Sequence, residues 1–307
     1  MDDDPARATG LRVGTAPDSW GVWFADHPGQ IGWERFLDEV AAAGYHYLEL
    51  GPYGYLPTDP SRLADELGSR GLALSGGTVF TAFHRGAGEW PDTWARVSRV
   101  AALVRALGGG HLVVIPELWR SDVTGAQREP RTLDDGQWRA LAAGHDRLGR
   151  ALAAEFGIRQ QFHSHADTHV GTAAEVERLL AETDPGAVSL CLDTGHFAYY
   201  GGDCLDLLAR HPERIGYLHL KQVDPVLIER IRRDDVPFAD CAAEVMVEPP
   251  SGIPDFAPVI DAAAAIDPDM FAIVEQDMPG CDLDRPAPIA TRTRRHILGC
   301  HPLTRTR

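Results

Sequence analysis

The chain has 307 residues, 44% of them apolar and 24% charged, ordinary usage for a globular protein with a sizeable core. Its formal charge of −16 opposes a phosphate backbone, which sets nucleic acid aside as a partner but leaves room for a small anion beside a local Arg or Lys. No apolar run is long enough for a membrane span, and the opening MDDDPARATG lacks the basic and apolar regions of a leader; five cysteines without a CxxC spacing point to a reducing cytoplasm.

Short β-type runs alternate with segments of helical period, the pattern of repeated βα units rather than of a sandwich. Strands are expected at Leu11 to Thr15, Tyr45 to Leu50, Leu72 to Gly76, His111 to Ile115, Ile158 to His163, Val188 to Asp193, Ile215 to Leu220 and Met270 to Glu275. Eight such units predict a single α/β domain, a (β/α)8 TIM barrel over 11–300, with 1–10 a flexible N-terminal segment and 301–307 a C-terminal tail.

After the first strand, PDSWGVWF offers Trp20, Trp23 and Phe24 as an aromatic wall for a ring-shaped substrate, or as a hydrophobic lid. The next helix puts Trp33, Phe36, Leu37 and Val40 on one face, and the helix before strand four repeats the pattern with Trp94, Val97, Ala101 and Val104. Gly44, Gly71, Gly108 and Gly157 stand where helices hand over to strands, and Thr172 with Glu175 forms a capping box opening another helix. The rhythm breaks at 222–256, a charged and Pro-rich stretch read as an elaborated loop after strand seven, a lid or a partner contact. A last helix in the basic C-terminal stretch closes the chain.

Chemistry gathers at the strand ends. Strand side chains alternate faces, so His163 and His165 share the parity of Gln161, His219 and Lys221 that of Tyr217, and Glu275 that of Ile273. Asp193 ends an apolar run, and a Thr-Gly turn is expected to bring His196 back beside it. A charge at the end of a buried strand costs several kcal/mol unless paired or bound to a metal. Four such residues on four successive strands, His163, Asp193, His219 and Glu275, therefore read as ligands of a divalent cation at the barrel mouth. Mn²⁺ or Co²⁺ is the favoured ion and Zn²⁺, Fe²⁺ or Mg²⁺ the alternative, a choice that the mixed ligand set does not itself make. Glu49, at the end of strand two, reads equally as a substrate ligand or an internal ion pair. His84 and Glu117 lie on the catalytic side by position alone, as candidates for substrate contact. His46, His111, His145, His211, His296 and His301 read as structural or solvated.

The segments VGTAPDSWG, GYHYLELGPYGYLPTD, HSHADTHVGT, LDTGHFAYYGGD, YLHLKQVD and VEQDM together resemble the xylose-isomerase-like TIM-barrel superfamily of sugar isomerases and epimerases, and within it most of all the inosose dehydratases. The resemblance implies a divalent metal on His163, Asp193, His219 and Glu275. Many members have a glutamate where this chain has His163, and their epimerases use two carboxylates on opposite sides of the substrate. Only Glu275 stands out here as such a carboxylate, unless Glu117 swings in as the ligand, so symmetric epimerisation is placed in doubt.

The expected reaction is dehydration of an inosose-like keto-cyclitol, with isomerisation or epimerisation of a sugar or sugar phosphate on the same site as the alternative. Glu275 or a histidine takes the α-proton, His165 or His196 as imidazolium protonates the departing hydroxyl, and Lys221 holds the substrate or its enolate oxygen. The substrate would be a small polyol or sugar, with a homo-oligomer left open. A rival of another class is a non-catalytic barrel subunit docking through 222–256.

Overall fold

The computed structural model describes residues 11–300, and the expected flexible segment 1–10, the tail 301–307 and His301 lie outside them. Eight parallel strands form a closed barrel in sequence order: β1 (Arg12–Thr15), β2 (Tyr47–Glu49), β3 (Ala73–Thr81), β4 (His111–Pro116), β5 (Arg159–His163), β6 (Ser189–Asp193), β7 (Ile215–Leu220) and β8 (Phe271–Val274). Closure is made by β1 lying beside β8, with Val13 opposite Ala272 and Thr15 opposite Val274.

Helices α1 (Trp33–Ala42), α2 (Pro60–Gly68), α3 (Trp90–Ala106), α4 (Asp135–Phe156) and α5 (Ala173–Glu182) follow the first five strands. Their apolar stripes face the sheet. Phe36, Leu37 and Val40 of α1 and Val97, Ala101 and Val104 of α3 are fully buried, and each large side chain so buried contributes roughly 1.5–3 kcal/mol. Thr172 and Glu175 cap each other reciprocally at the start of α5, as their spacing predicts. Gly44, Gly71, Gly108 and Gly157 all hold positive φ at helix-to-strand passages.

The strand alternation builds two cores. Outward-facing residues meet the helices, whereas Val113, Ile115, Cys191, Tyr217, Phe271 and Ile273 fill the barrel interior. Inside, Tyr217 donates to Ser75 Oγ at 2.8 Å and Ser75 donates to the Leu48 carbonyl at 3.0 Å, so the buried hydroxyls are satisfied.

Three local expectations are corrected. Strand β3 runs on to Thr81 instead of ending at Gly76, because Gly76 and Gly77 are there for close approach: a Cβ on Gly76 would meet the His111 carbonyl at 2.7 Å, and one on Gly77 would meet Val100 and Val104 at 3.0 Å. The Thr-Gly pair after β6 opens helix α6 (Thr194–Tyr199) rather than a turn, since Asp193 caps it by accepting from the His196 amide at 2.7 Å. Helix α7 (Cys204–Arg210) precedes β7.

The stretch 222–256 is largely helical. Asp224 accepts from the amides of Val226 and Leu227 with Pro225 at the first helical position, starting α8 (Pro225–Asp234), and α9 (Phe238–Val245) follows. Ile228, Ile231, Phe238, Ala242 and Val245 form a small core of their own with Ala166 and Tyr199, so this excursion packs over the β5 and β6 ends. Helix α10 (Phe256–Ile266) leads into β8, and α11 (Pro286–Cys300) ends the described chain.

Candidate metal centre

The ends of β5 to β8 bring His163, Asp193, His219 and Glu275 into one cluster, all at most 8% exposed. His219 Nδ1 lies 2.9 Å from Glu275 Oε2 and 3.6 Å from Asp193 Oδ2, and His163 Nε2 lies 3.3 Å from the same Asp193 oxygen. Donors sharing one divalent ion at ~2.1 Å stand about 3.0–3.5 Å apart, which these spacings approach. Despite its short distance to Glu275, the buried His219 Nδ1 is not aligned for a hydrogen bond and has no such partner. His163 Nε2 is paired with Asp193, whereas the unpaired His219 Nδ1 among these donors fits a common cation. These residues therefore fit a metal of the kind that two imidazoles and two carboxylates bind.

Glu49 lies beside this cluster. Its Oε1 is 2.8 Å from His219 Nε2, its Oε2 accepts from Thr78 Oγ1 at 2.8 Å, and it is 1% exposed. A carboxylate behind the far nitrogen of an imidazole fixes the ring and leaves the near nitrogen for the cation. Of its two sequence readings, the internal ion pair describes the geometry, and no face of Glu49 is left for substrate.

Burial disfavours charge throughout the cluster, and the neighbours decide the outcome. Asp193 is held well below the carboxylate range by Lys221 and His196 in spite of burial, and Glu275 is lowered likewise by His219 and Lys221. His219 is kept well above the imidazole range, burial notwithstanding, by Cys191, Glu275 and Glu49. Cys191, beneath His219 and Asp193, is pushed up to about 12 by burial and stays a thiol.

Lys221 is the hub of the mouth. Its Nζ lies 2.9 Å from Glu275 Oε2, 2.9 Å from Asp277 Oδ2, 3.5 Å from Asp193 Oδ2, 3.5 Å from Asp18 Oδ2 and 3.2 Å from His196 Nε2. The rings of His165 and His196 are tilted by 37° with centroids 3.7 Å apart, and the His163 centroid lies 5.5 Å from that of His165. Burial, then the adjacent His163, pushes His165 down to about 3; burial and His165 hold His196 well below its ordinary value. Burial and the neighbouring rings thus disfavour the imidazolium form expected of His165 or His196. His165 Nδ1 donates to the Ala166 carbonyl at 2.8 Å, so its Nε2 keeps a lone pair.

The remaining candidates stand away from the cluster. Trp20 is a core residue, 1% exposed, edge-on to Phe36 and donating from Nε1 to Glu39 at 2.8 Å, and with Trp23 and Phe24 it borders a cavity beside Pro279 and Cys281 rather than the cluster. His84 turns to Glu129 at 2.7 Å, and Glu117 pairs with Arg85 at 2.8 Å on the rim, so Glu117 does not replace His163 in the ligand set.

Three mouth residues escaped the sequence reading. Asp277 is two residues past Glu275 and shares its parity, a signal that was legible had the strand been read beyond its last apolar residue. Asp18 comes from the short helical turn Pro17–Trp20 after β1. Phe238, from α9, caps the histidines, with its ring centroid 5.1 Å from His196 and 5.4 Å from His165 and stacked on Trp23 at 6.1 Å. No sequence signal could have tied it there. Both added carboxylates gather on the one ammonium of Lys221.

The closed eight-stranded barrel thus brings its strand ends together on a buried His-Asp-His-Glu cluster, a candidate metal-binding group at the barrel mouth. The profile of the xylose isomerase-like TIM barrel matches residues 37–297, and the chain belongs to that family. It is 30% identical to an inosose dehydratase of Geobacillus thermodenitrificans (strain NG80-2), covering 94% of this chain and 96% of the relative. It is 31% identical to an inosose dehydratase of Lacticaseibacillus casei, covering 87% and 90%. Among solved structures, the zinc-bound IOLI protein superposes with a TM-score of 0.69 at 15% identity, over 94% of this chain and 98% of that one. These relatives make the chain an enzyme of the dehydratase or isomerase/epimerase type, which sets aside the non-catalytic subunit. No helix among the described residues is long and apolar enough to cross a membrane.

Proposed function

We propose that this enzyme removes water from an inosose-like keto-cyclitol, with a divalent cation, Mn²⁺ or Co²⁺ foremost, held by His163, Asp193, His219 and Glu275. The single observation that carries the reading is the convergence of these four buried side chains, with Lys221 against them, in a relative of inosose dehydratases. When bound, such a cation supplies Lewis-acid polarisation of a carbonyl and its neighbouring hydroxyl.

The chain's own groups divide the proton work. His165, neutral and with a free lone pair at Nε2, takes the proton α to the ketone, with Glu275 as the competing base. Lys221, kept charged against burial by Asp277, Glu275, Asp193 and Asp18, donates the proton with which the β-hydroxyl leaves as water. The enol left behind becomes a 1,2-dione. His196 and Asp277 hold the Lys221 ammonium in place, and Phe238 with Trp23 keeps bulk water from the histidines.

The test is a panel assay of the metal-free protein with added Mn²⁺ or Co²⁺, following the ultraviolet absorbance of a dione from scyllo-inosose beside ketose isomerisation. Metal-dependent dione formation that disappears in His219→Ala is expected. Isomerisation without dione would replace the reaction while keeping the site.

A further inference from the structure

We propose a second divalent-cation site, of zinc type, formed by His84, Glu129 and His169 on the loops that follow β3, β4 and β5. None of these residues belongs to the cluster at the ends of β5 to β8, and the one-to-one spacing of their donor atoms is comparable: one atom from each lies within 4.8 Å of the others.

The tautomer of His169 carries the inference. Its Nδ1 lies 3.0 Å from the Arg131 carbonyl, which only accepts, so Nδ1 bears the proton and the neutral ring keeps its lone pair at Nε2. That Nε2 has no hydrogen-bond partner, its residue is 2% exposed, and it lies 3.6 Å from Glu129 Oε2. A buried lone pair and the oxygen of a carboxylate that is 22% exposed thus face each other with no His169 proton between them. Such an arrangement is unfavourable until a cation stands between the two.

His84 completes the set. Its Nε2 hydrogen-bonds the same Glu129 oxygen at 2.7 Å, a proton that a cation bound here would displace, its ring centroid is 4.5 Å from that of His169, and it too is 2% exposed. Glu129 Oε1 is already engaged by Arg85, from Nε at 2.7 Å and from Nη2, which leaves Oε2 as the atom turned to both imidazoles. Two imidazoles and one carboxylate form a three-residue zinc set with a fourth position for water. The Arg131 carbonyl behind His169 is the kind of partner that orients a metal-bound ring. Because His169 shares its loop with His165, a cation here fastens the segment that carries a proposed catalytic base to the loops from β3 and β4.

The experiment counts zinc. The full chain, stripped with chelator and titrated with Zn²⁺ in a calorimeter, is expected to take up two equivalents, confirmed by elemental analysis after gel filtration. His219→Ala keeps the equivalent on the loops. His84→Gln with His169→Gln, chosen to preserve volume and polarity, loses it while retaining the one at the barrel mouth. Zn²⁺ also raises the Tm of His219→Ala and leaves unchanged that of the variant combining all three substitutions. A His219→Ala protein that binds no Zn²⁺, or a His84→Gln/His169→Gln protein that still binds two equivalents, would overturn the proposal.

Discussion

Replacing Glu49 by Gln separates the charge behind His219 from its shape. The carboxamide is nearly isosteric, so its oxygen still accepts from His219 Nε2, where Oε1 now stands at 2.8 Å, and Thr78 rotates its hydroxyl to meet the new NH₂. What disappears is the negative charge that makes the ring a stronger donor. Loss of such a partner typically weakens metal binding by about 10–100-fold, equivalent to roughly 1.4–2.7 kcal/mol. Glu49→Ala goes further, because it strands a buried imidazole N–H and adds about 1–3 kcal/mol of instability. Competition of the purified variants against a fluorescent chelator for Mn²⁺ or Zn²⁺, with Tm recorded in parallel, measures both effects. Glu49→Gln is expected to bind metal more weakly at nearly unchanged Tm. Wild-type metal affinity in Glu49→Gln, alongside lost affinity in His219→Ala, would refute the idea that this carboxylate tunes the ligand.

Gly195→Ala should cripple turnover: a Cβ there would stand 2.4 Å from the Lys221 Cβ and displace the ammonium, and a misplacement on the order of 1 Å costs ~10²-fold in kcat, read in steady-state assays. Phe238→Ala removes the cap over His165 and His196 and a piece of the α8–α9 core, so urea unfolding should show about 3–5 kcal/mol lost and kcat should fall as water enters. Acid should destabilise the protein through His145, which burial pushes down to about 4. Because the unfolded ring binds a proton first, near 6.5, this contribution is complete above that pH and is lost as pH falls towards 4, about 3 kcal/mol in all. Urea midpoints of the native protein and His145→Gln between pH 7 and 4.5 check the sign, with the shallower pH dependence expected in the variant.

The barrel and the convergence of its strand-end residues were legible because both rest on short-range rules. Alternation along β6, β7 and β8 turns Cys191, Tyr217 and Ile273 inward, and the same parity one step on delivers Asp193, His219 and Glu275 to the mouth. What was missed depends on contacts that periodicity does not encode. Trp20 looked like a wall because it is aromatic and follows a strand, yet its indole N–H is satisfied by Glu39, a residue of α1 that only the fold brings near. Phe238 is 42 residues from His196 and 73 from His165 along the chain, and its place over both follows from α9 folding back across the barrel. The helices of 222–256 were hidden by composition, although Asp224 and Pro225 form a start signal that outweighs the charges following it.

The carboxylate count also changes what His163 means. Read from sequence, a histidine in place of a glutamate left Glu275 alone and counted against a two-base reaction. Asp18 and Asp277 now supply further carboxylates, so scarcity is not the obstacle; their position is. Both lie against Lys221, within 3.5 Å and 2.9 Å of its Nζ, the ammonium that donates the proton in the proposed reaction. A two-base epimerisation needs acceptors on opposite faces, whereas loss of water needs a base and a charged donor. In the proposed reaction His165 is the base and Lys221 the charged donor, and Lys221→Met is the variant that tells the two apart. It should retain exchange of the α-proton with solvent deuterium while losing dione formation, and equal loss of both would place Lys221 in substrate binding instead.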